Sequence, residues 1–389
     1  TDGMKKSVIC AAAALSLTAA VIGTGNACKV FADETQPSPA CKAAYLMDEA
    51  SGVQLDAINE TEHLPIASMC KIMTLLLAFE AEERGDISFS DEIKVSERAA
   101  GMGGSQVFLG AGLIYKADDL LKSIAVCSAN DSCVAVAEYL CGSEASFCER
   151  MNRRAKELGA ENTLFANCTG LPKEPQYSCA KDVALMLREL IGHEKYQEYS
   201  HVWLEDFAHP DGRTTQMTNT NKLIRTYDGC DGGKTGFTNE AGFCLAAAAH
   251  KGETCVISVA IGANDSKSRF SAVTSLFDYA FDHFESTVLL REGEPLQEKI
   301  CIRGSRTGEI AVVPERTLAC LRRRGTDENY TVEYAQREAI APIARGEVLG
   351  EAILYRDGVE IDRVALLAAE DADRFSWWEA YREGARNWN

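Results

Sequence analysis

Positive charge is scarce in this chain. Its 389 residues carry 40 Lys and Arg against 58 Asp and Glu, for a net charge of −18 and a pI near 4.9, and no basic run appears. Binding nucleic acid through its phosphates needs clustered Lys and Arg, so the composition argues against it. Long apolar runs are lacking too. The stretch Val8 to Ile22 is 15 residues, short of the roughly 20 that a spanning helix needs. No Cys-x-x-Cys pair or Cys/His cluster suggests zinc, and the six histidines show no metal spacing. What remains is ordinary globular material, 46% hydrophobic and 25% charged, long enough for two or three domains with a substantial core.

Met4-Lys5-Lys6, the apolar stretch after it and the small-residue signal Val30-Phe31-Ala32 read as a secretory signal peptide over residues 1–32, with a linker over 33–40. An uncleaved anchor is the alternative. Asn26-Ala27-Cys28 is a weak lipoprotein candidate, because Gly25 stands where such a signal usually has an aliphatic residue. Removal after Ala32 leaves thirteen cysteines at irregular spacings. A disulfide framework usually belongs to small secreted domains without a core, so most of these thiols are expected to be small buried hydrophobes.

Cys41 to Met47 and Val53 to Ala57 predict a hairpin through Asp48 to Gly52. Helical periodicity dominates from Ser68 to about Leu190. Asp118 to Val126 and Asp131 to Tyr139 are broken by Cys127-Ser128-Ala129-Asn130, and Ala145 to Leu158 is closed by Gly159. Gly242 to His250 and Thr254 to Gly262 predict a second hairpin, and Ser266 to Phe284 a last helix. Strands at both ends with helices between them imply one shared sheet. From about Ser286 short alternating runs take over, with an Asp357-Gly358 hairpin turn, predicting an all-β domain over 286–370. The tail 371–389, with Trp377, Trp378, Tyr381 and Trp388, reads either as an amphipathic membrane-associating helix or as a helix packed on the β domain.

The chemistry concentrates at Ala67-Ser68-Met69-Cys70-Lys71, which leads into the apolar run Leu75 to Phe79. Residues three apart on a helix share a face, about 5–6 Å apart at Cβ, so Ser68 is a nucleophile beside a possible base. A serine hydroxyl needs such a partner, and a lysine can serve only when its pKa is lowered. Taken alone, Ser-x-x-Lys is a short pattern, and Ser68 as a helix N-cap beside a solvated Lys71 is the blander account. Cys70, two positions past Ser68, faces away from it and is expected in the core. Neither His63 nor His250 shows a nearby carboxylate pattern that would form a triad.

Ser68-x-x-Lys71, Ser128-Ala129-Asn130 and Lys234-Thr235-Gly236 stand in order along the chain. With Gly104-Ser105-Gln106, Met151-Asn152, Asn167-Cys168-Thr169-Gly170-Leu171 and Gly262-Ala263 around them, the sequence from Ala43 to Phe284 resembles the penicillin-recognising serine enzymes. It is most similar to the D-alanyl-D-alanine carboxypeptidases, the low-molecular-mass penicillin-binding proteins of the DacA/DacF kind (serine peptidase family S11). The resemblance implies an α/β transpeptidase/β-lactamase-like domain over 41–285, an antiparallel sheet flanked by helices plus a helical subdomain, followed by the small all-β domain.

By the same resemblance, Ser68 attacks the carbonyl between two terminal D-alanines, Lys71 takes its proton and Ser128 passes one to the departing D-alanine. Asn130 would hold the substrate amide. Lys234 and Thr235 would hold the terminal carboxylate, and Gly236 would let the substrate backbone come close. The N–H groups of Ser68 and Phe237 would form the oxyanion hole, with Arg269 as a second candidate for the carboxylate. Members of the family often have His where Phe237 stands, a change that should spare a main-chain role. No cofactor or metal is implied. The implied substrate is the peptidoglycan pentapeptide, with β-lactams as acylating inhibitors, and the implied place is the outer face of the cytoplasmic membrane or the wall space. A class A β-lactamase is the first alternative, opposed by the middle alanine of Ser128-Ala129-Asn130 and by the lack of a Glu-x-x-Leu-Asn segment between Asn130 and Lys234. An inactive wall-binding scaffold is the second.

Overall fold

The computed structural model describes residues 37–305 and 307–374. The expected signal peptide, the first half of the linker and all but the start of the aromatic tail lie outside the described residues. Five strands form the central sheet: β1 (Ala43–Asp48), β2 (Gln54–Ile58), β3 (Cys230–Thr238), β4 (Gly242–Lys251) and β5 (Thr254–Ala263), in the order β2-β1-β5-β4-β3. All neighbours are antiparallel. Ala43 pairs with Ile261 and Met47 with Ile257, so the two ends of this part of the chain share one sheet, as the sequence implied.

Helices cover both faces. On one lie α1 (Lys71–Glu83) and α5 (Ala180–Ile191); on the other packs α6 (Ser266–His283). In α1, every residue from Lys71 to Phe79 is buried, so the run Leu75-Leu76-Leu77-Ala78-Phe79 is apolar because a helix enclosed on all sides has no polar stripe. Strand β4 is likewise covered on both faces. Its residues Ala246 to Ala249 are fully buried, their small side chains letting helices approach from either side, and this packing overrides alanine's modest strand preference.

Three further helices, α2 (Ala117–Cys127), α3 (Asn130–Cys141) and α4 (Glu144–Glu157), build the helical part beside the sheet. Beyond α6 the regular elements among the described residues are all strands. Tyr330–Gln336, Val348–Arg356, Val359–Ala368 and Val312–Pro314 form one antiparallel sheet, and Phe284–Leu290 pairs with Leu318–Arg323. The turn at Asp357-Gly358 has positive φ at both residues, 51° and 79°, which is the type I′ geometry the dipeptide signalled. This β region has its own apolar core around Ile302, Leu318, Leu354 and Leu366. It meets the central sheet where the Ser286 hydroxyl donates to Asp48 at 3.3 Å.

The thirteen cysteines among the described residues are all free thiols, eight of them buried and only Cys301 exposed. They behave as small core residues. No helix among the described residues is long and apolar enough to cross a membrane.

Candidate active site

Ser68 sits on a single 3-10 turn, Ala67–Cys70, and Lys71 is the first residue of α1. The sequence predicts one continuous helix there; the tighter turn matters because side chains three apart eclipse in a 3-10 helix. Lys71 is fully buried, its Nζ lies 2.9 Å from Ser68 Oγ, and it donates to the Thr169 carbonyl at 2.6 Å. Burial pushes the Lys71 amine below the ordinary lysine value. Cys70, by contrast, points its thiol at the Asn167 carbonyl (3.2 Å), and burial pushes that thiol well up. It has neither the direction nor the acidity of a nucleophile.

The Thr169 carbonyl is held by its own turn. Asn167 Oδ1 accepts from the Gly170 N–H (2.7 Å), the Thr169 N–H (3.1 Å) and the Thr169 hydroxyl (3.1 Å), while its Nδ2 donates to the Leu171 carbonyl (2.7 Å). Gly170 has φ +81°, and a Cβ there would stand 1.9 Å from the Ala67 carbonyl oxygen. Only glycine fits. Against it, Ala67 is held at φ +48°, a left-handed conformation that costs an L-residue about 1–2 kcal/mol and that aims the following serine.

Ser128 ends α2 and is itself left-handed, φ +67°. Its Oγ is buried and has no hydrogen-bond partner among the described residues. Asn130 is the first residue of α3, its N–H donating to the Ser105 carbonyl and its Nδ2 to the Gly103 carbonyl, both at 2.7 Å. One amide proton is therefore committed to the protein, and the buried Oδ1 has no partner. Native proteins keep few such orphans, each costing about 1–3 kcal/mol. The next residue, Asp131, accepts from the Val107 and Leu109 N–H groups (3.3 and 3.0 Å) and so fixes the loop that Asn130 grips.

Strand β3 is the sheet edge beside these groups. Lys234 is 1% exposed and donates to the Thr235 carbonyl at 3.2 Å. Burial first, and the charge of Lys71 second, bring its amine down to about 7. Two ammonium groups in one dry cleft repel, so the charge of Lys71 disfavours that of Lys234. The Thr235 hydroxyl donates to Thr220 Oγ1 at 2.8 Å. Thr220 was not singled out in the sequence. Its turn is fastened by its own N–H on the Val126 carbonyl (3.2 Å) and by Asn219 Nδ2 on the Ser200 and Val202 carbonyls (both 2.9 Å).

Gly236 is also pressed close from within the chain. A Cβ there would meet the Ile66 carbonyl oxygen at 2.7 Å and Ser68 N at 3.2 Å, so the missing side chain lets β3 close on the nucleophile's turn. Phe237, half exposed, lies with its ring 4.4 Å from that of Phe243. Arg269 donates to the Gly236 and Cys244 carbonyls (3.1 and 3.4 Å), leaves its buried Nε without a partner, and makes no ion pair among the described residues. It braces the strand that carries Lys234.

The expectation for the histidines needs one correction. His250 does have a carboxylate, its Nδ1 lying 2.7 Å from Asp231 Oδ1, a partner 19 residues away that an adjacent strand delivers. Cys255, the nearby thiol, contacts the other carboxylate oxygen at 3.9 Å. His63 stacks on Tyr177 at 4.2 Å. Among the described residues no group of His, Cys, Asp and Glu could hold a metal ion.

Comparison with known proteins places this geometry. Residues 31–265 match the family described as D-alanyl-D-alanine carboxypeptidase, and residues 284–374 the one described as penicillin-binding protein 5, C-terminal domain. The chain is 39% identical over 332 residues to the D-alanyl-D-alanine carboxypeptidase DacF of Bacillus subtilis, covering 85% of each chain. It is 32% identical to the D-alanyl-D-alanine carboxypeptidase DacC of Escherichia coli, covering 87% of this chain and 85% of that one. Among solved structures, penicillin-binding protein 5 from Haemophilus influenzae is similar with a TM-score of 0.70 at 27% identity, covering 88% of this chain and all of that one.

Proposed function

The chain belongs to the D-alanyl-D-alanine carboxypeptidase family and is a serine-type enzyme of that activity, and from this premise we propose that Ser68, Lys71 and Ser128 carry the chemistry. The observation that supports it most is the fully buried Lys71 amine, lowered by burial and 2.9 Å from Ser68 Oγ. We assign the positive charge of the lysine pair to Lys234 and the neutral, proton-accepting amine to Lys71, which burial favours.

Ser68 Oγ adds to the carbonyl of the penultimate D-alanine as its proton passes to Lys71 Nζ. The oxygen that becomes negative is held by the N–H groups of Ser68 and Phe237, donors worth about 2.7–4 kcal/mol each in the transition state. The C–N bond then breaks as Ser128 gives its proton to the leaving amine and recovers one from Lys71 Nζ, so Lys71 is neutral again and free D-alanine departs from an ester on Ser68. Water adds to that ester with Lys71 taking its proton, the bond from the acyl carbon to Ser68 Oγ breaks as Lys71 returns that proton to Oγ, and the shortened peptide leaves. Asn130 Oδ1 accepts from the substrate's amide. Lys234⁺ and Thr235 bind the terminal carboxylate, Gly236 lets their strand reach the nucleophile, and Arg269 acts through the Gly236 carbonyl. A β-lactam acylates the same oxygen, but its leaving nitrogen stays tethered by the second ring bond and the ester persists.

The substrate in this reading is the peptidoglycan pentapeptide, met outside the cytoplasmic membrane after export, with peripheral membrane contact through residues 371–389. We place the boundary between catalytic and β domains at residue 285. Labelling with a fluorescent penicillin followed by peptide mapping tests the nucleophile: the label is expected on Ser68, and a label elsewhere defeats the assignment. Release of D-alanine from a D-Ala-D-Ala peptide by the wild type and its loss in Ser68→Ala, by about 10⁴-fold or more, excludes the scaffold reading.

A further inference from the structure

The loop that Asn130 grips continues through Val107 to Gly110, and a buried histidine that no step above uses holds that far part. His209 stands at the turn between the paired strands Leu204–Ala208 and Thr214–Thr218. Its Nδ1 lies 3.0 Å from the hydroxyl of buried Tyr115, and its Nε2 lies 2.9 Å from Thr215 Oγ1.

The protons in this chain of contacts follow from what each group can do. The Val107 carbonyl only accepts, so the Thr215 hydroxyl, 3.1 Å away, spends its one proton there. The imidazole must then donate from Nε2. A neutral ring carries a single N–H, which leaves Nδ1 as an acceptor and makes Tyr115 the donor to it. The Tyr115 oxygen in turn receives the Gly110 N–H at 3.0 Å. One neutral imidazole thus completes the hydrogen bonds at both ends of the segment, whereas an imidazolium would leave the Tyr115 proton without an acceptor. Burial first, and the charge of Arg213 second, push His209 below the ordinary histidine value, against the pull of Asp211 and Asp131.

The segment is coupled to the site. Asp131 takes the Val107 and Leu109 N–H groups, and two residues before Val107 the Ser105 carbonyl receives the Asn130 N–H. The Asn130 side-chain amide donates to the Gly103 carbonyl, and a Cβ on Gly104 would stand 2.8 Å from that same nitrogen. Loop and side chain therefore meet without slack. A shift of the loop turns Asn130 Oδ1, while Ser68 and Lys71 stand on separate elements and stay in place.

We propose that His209 is a positioning residue for the substrate amide: with its proton on Nε2 it clamps the 103–110 loop through Tyr115 and Thr215, and so aims Asn130 Oδ1. The proposal rests on the acyl-enzyme reading, in which that oxygen accepts from the substrate.

The test is made on the full chain. A long-range 15N spectrum at pH 7 is expected to show His209 Nε2 protonated and Nδ1 bare; the other tautomer, or an imidazolium, overturns the clamp. Thr215→Val, with its melting temperature checked, should raise KM for a D-Ala-D-Ala peptide about five- to tenfold with kcat within about twofold. Amide hydrogen exchange at Val107 and Asn130 should quicken about tenfold in the same variant. Thr215→Ser should restore both, and His209→Phe should reproduce the losses of Thr215→Val. An unmoved KM, unmoved exchange, or a loss that Thr215→Ser does not recover overturns the positioning role alone. No D-alanine release from the wild type would overturn the carboxypeptidase reading, and the contact with the substrate amide along with it.

Discussion

The cleft and the C-terminal β region handle charge in opposite ways. In the β region cations sit against carboxylates: Arg316 forms a two-pronged pair with Asp362, at 3.0 and 2.5 Å, and Arg363 contacts Glu351 (3.0 Å) and Glu360 (2.8 Å). In the cleft two buried lysines face each other without a carboxylate, Ser128 Oγ and Asn130 Oδ1 have no partner, and Ala67 and Ser128 are left-handed. One region is arranged to persist and the other to react. What differs is coincidence: Ser128 is orphaned and left-handed at once, whereas in the β region the left-handed Asp357 turns a hairpin and the orphaned Arg322 Nε stands on another strand.

The comparison breaks most visibly at Lys71. Lys71→Ala should lower the rate of penicillin acylation by about 10²–10⁴-fold, followed by stopped-flow or gel labelling; a loss under tenfold would mean that another group takes the serine's proton. Lys234→Met comes next and separates function from stability. Acylation should fall by about 10²-fold, yet at pH 7 the variant should melt about 2–4 °C higher. The sign follows from linkage. With the Lys234 amine at about 7 in the fold and 10.5 in the open chain, the unfolded state binds the extra proton between those values, so wild-type stability rises with pH across that window. The advantage of Lys234→Met should therefore shrink between pH 7 and pH 10 in a melting series, and an advantage that grew would refute it.

Thr220→Val is a smaller cut into the same cleft. If Thr220 orients the Thr235 hydroxyl, kcat/KM for D-Ala-D-Ala peptides should drop about tenfold, mostly through KM. Thr220→Ser should restore it, and a purely structural role would move neither. Smallest is Arg316→Ala in the β region, about 0.5–1 kcal/mol for a half-exposed pair, read as a melting temperature lower by about 1–2 °C with acylation untouched.

The side chains proposed to carry the chemistry were picked out in the sequence because Ser68, Lys71, Ser128, Asn130, Lys234 and Thr235 stand in short local motifs. The shared sheet was legible as well, since hairpin patterns stand at Cys41 and at Gly242. What escaped is carried by the backbone or by distance. The Thr169 carbonyl that receives Lys71 has no residue signature and lies 98 positions from it. Thr220 reveals itself only where β3 passes, and Asp231 meets His250 only through strand register. Gly236 was identified for an approach of substrate but not for its close contact with the Ser68 turn, because a sequence shows that a side chain is missing without showing all that comes close.

The pairing of β1 with β5 reaches across more than two hundred residues. A chain emerging end-first, from a ribosome or through a translocation pore, cannot zip this sheet until Thr254–Ala263 has come out. Until then Ser68 and Lys71 are held apart from the strand that carries Lys234. The proposed site is therefore assembled only once a strand that carries none of its residues has arrived.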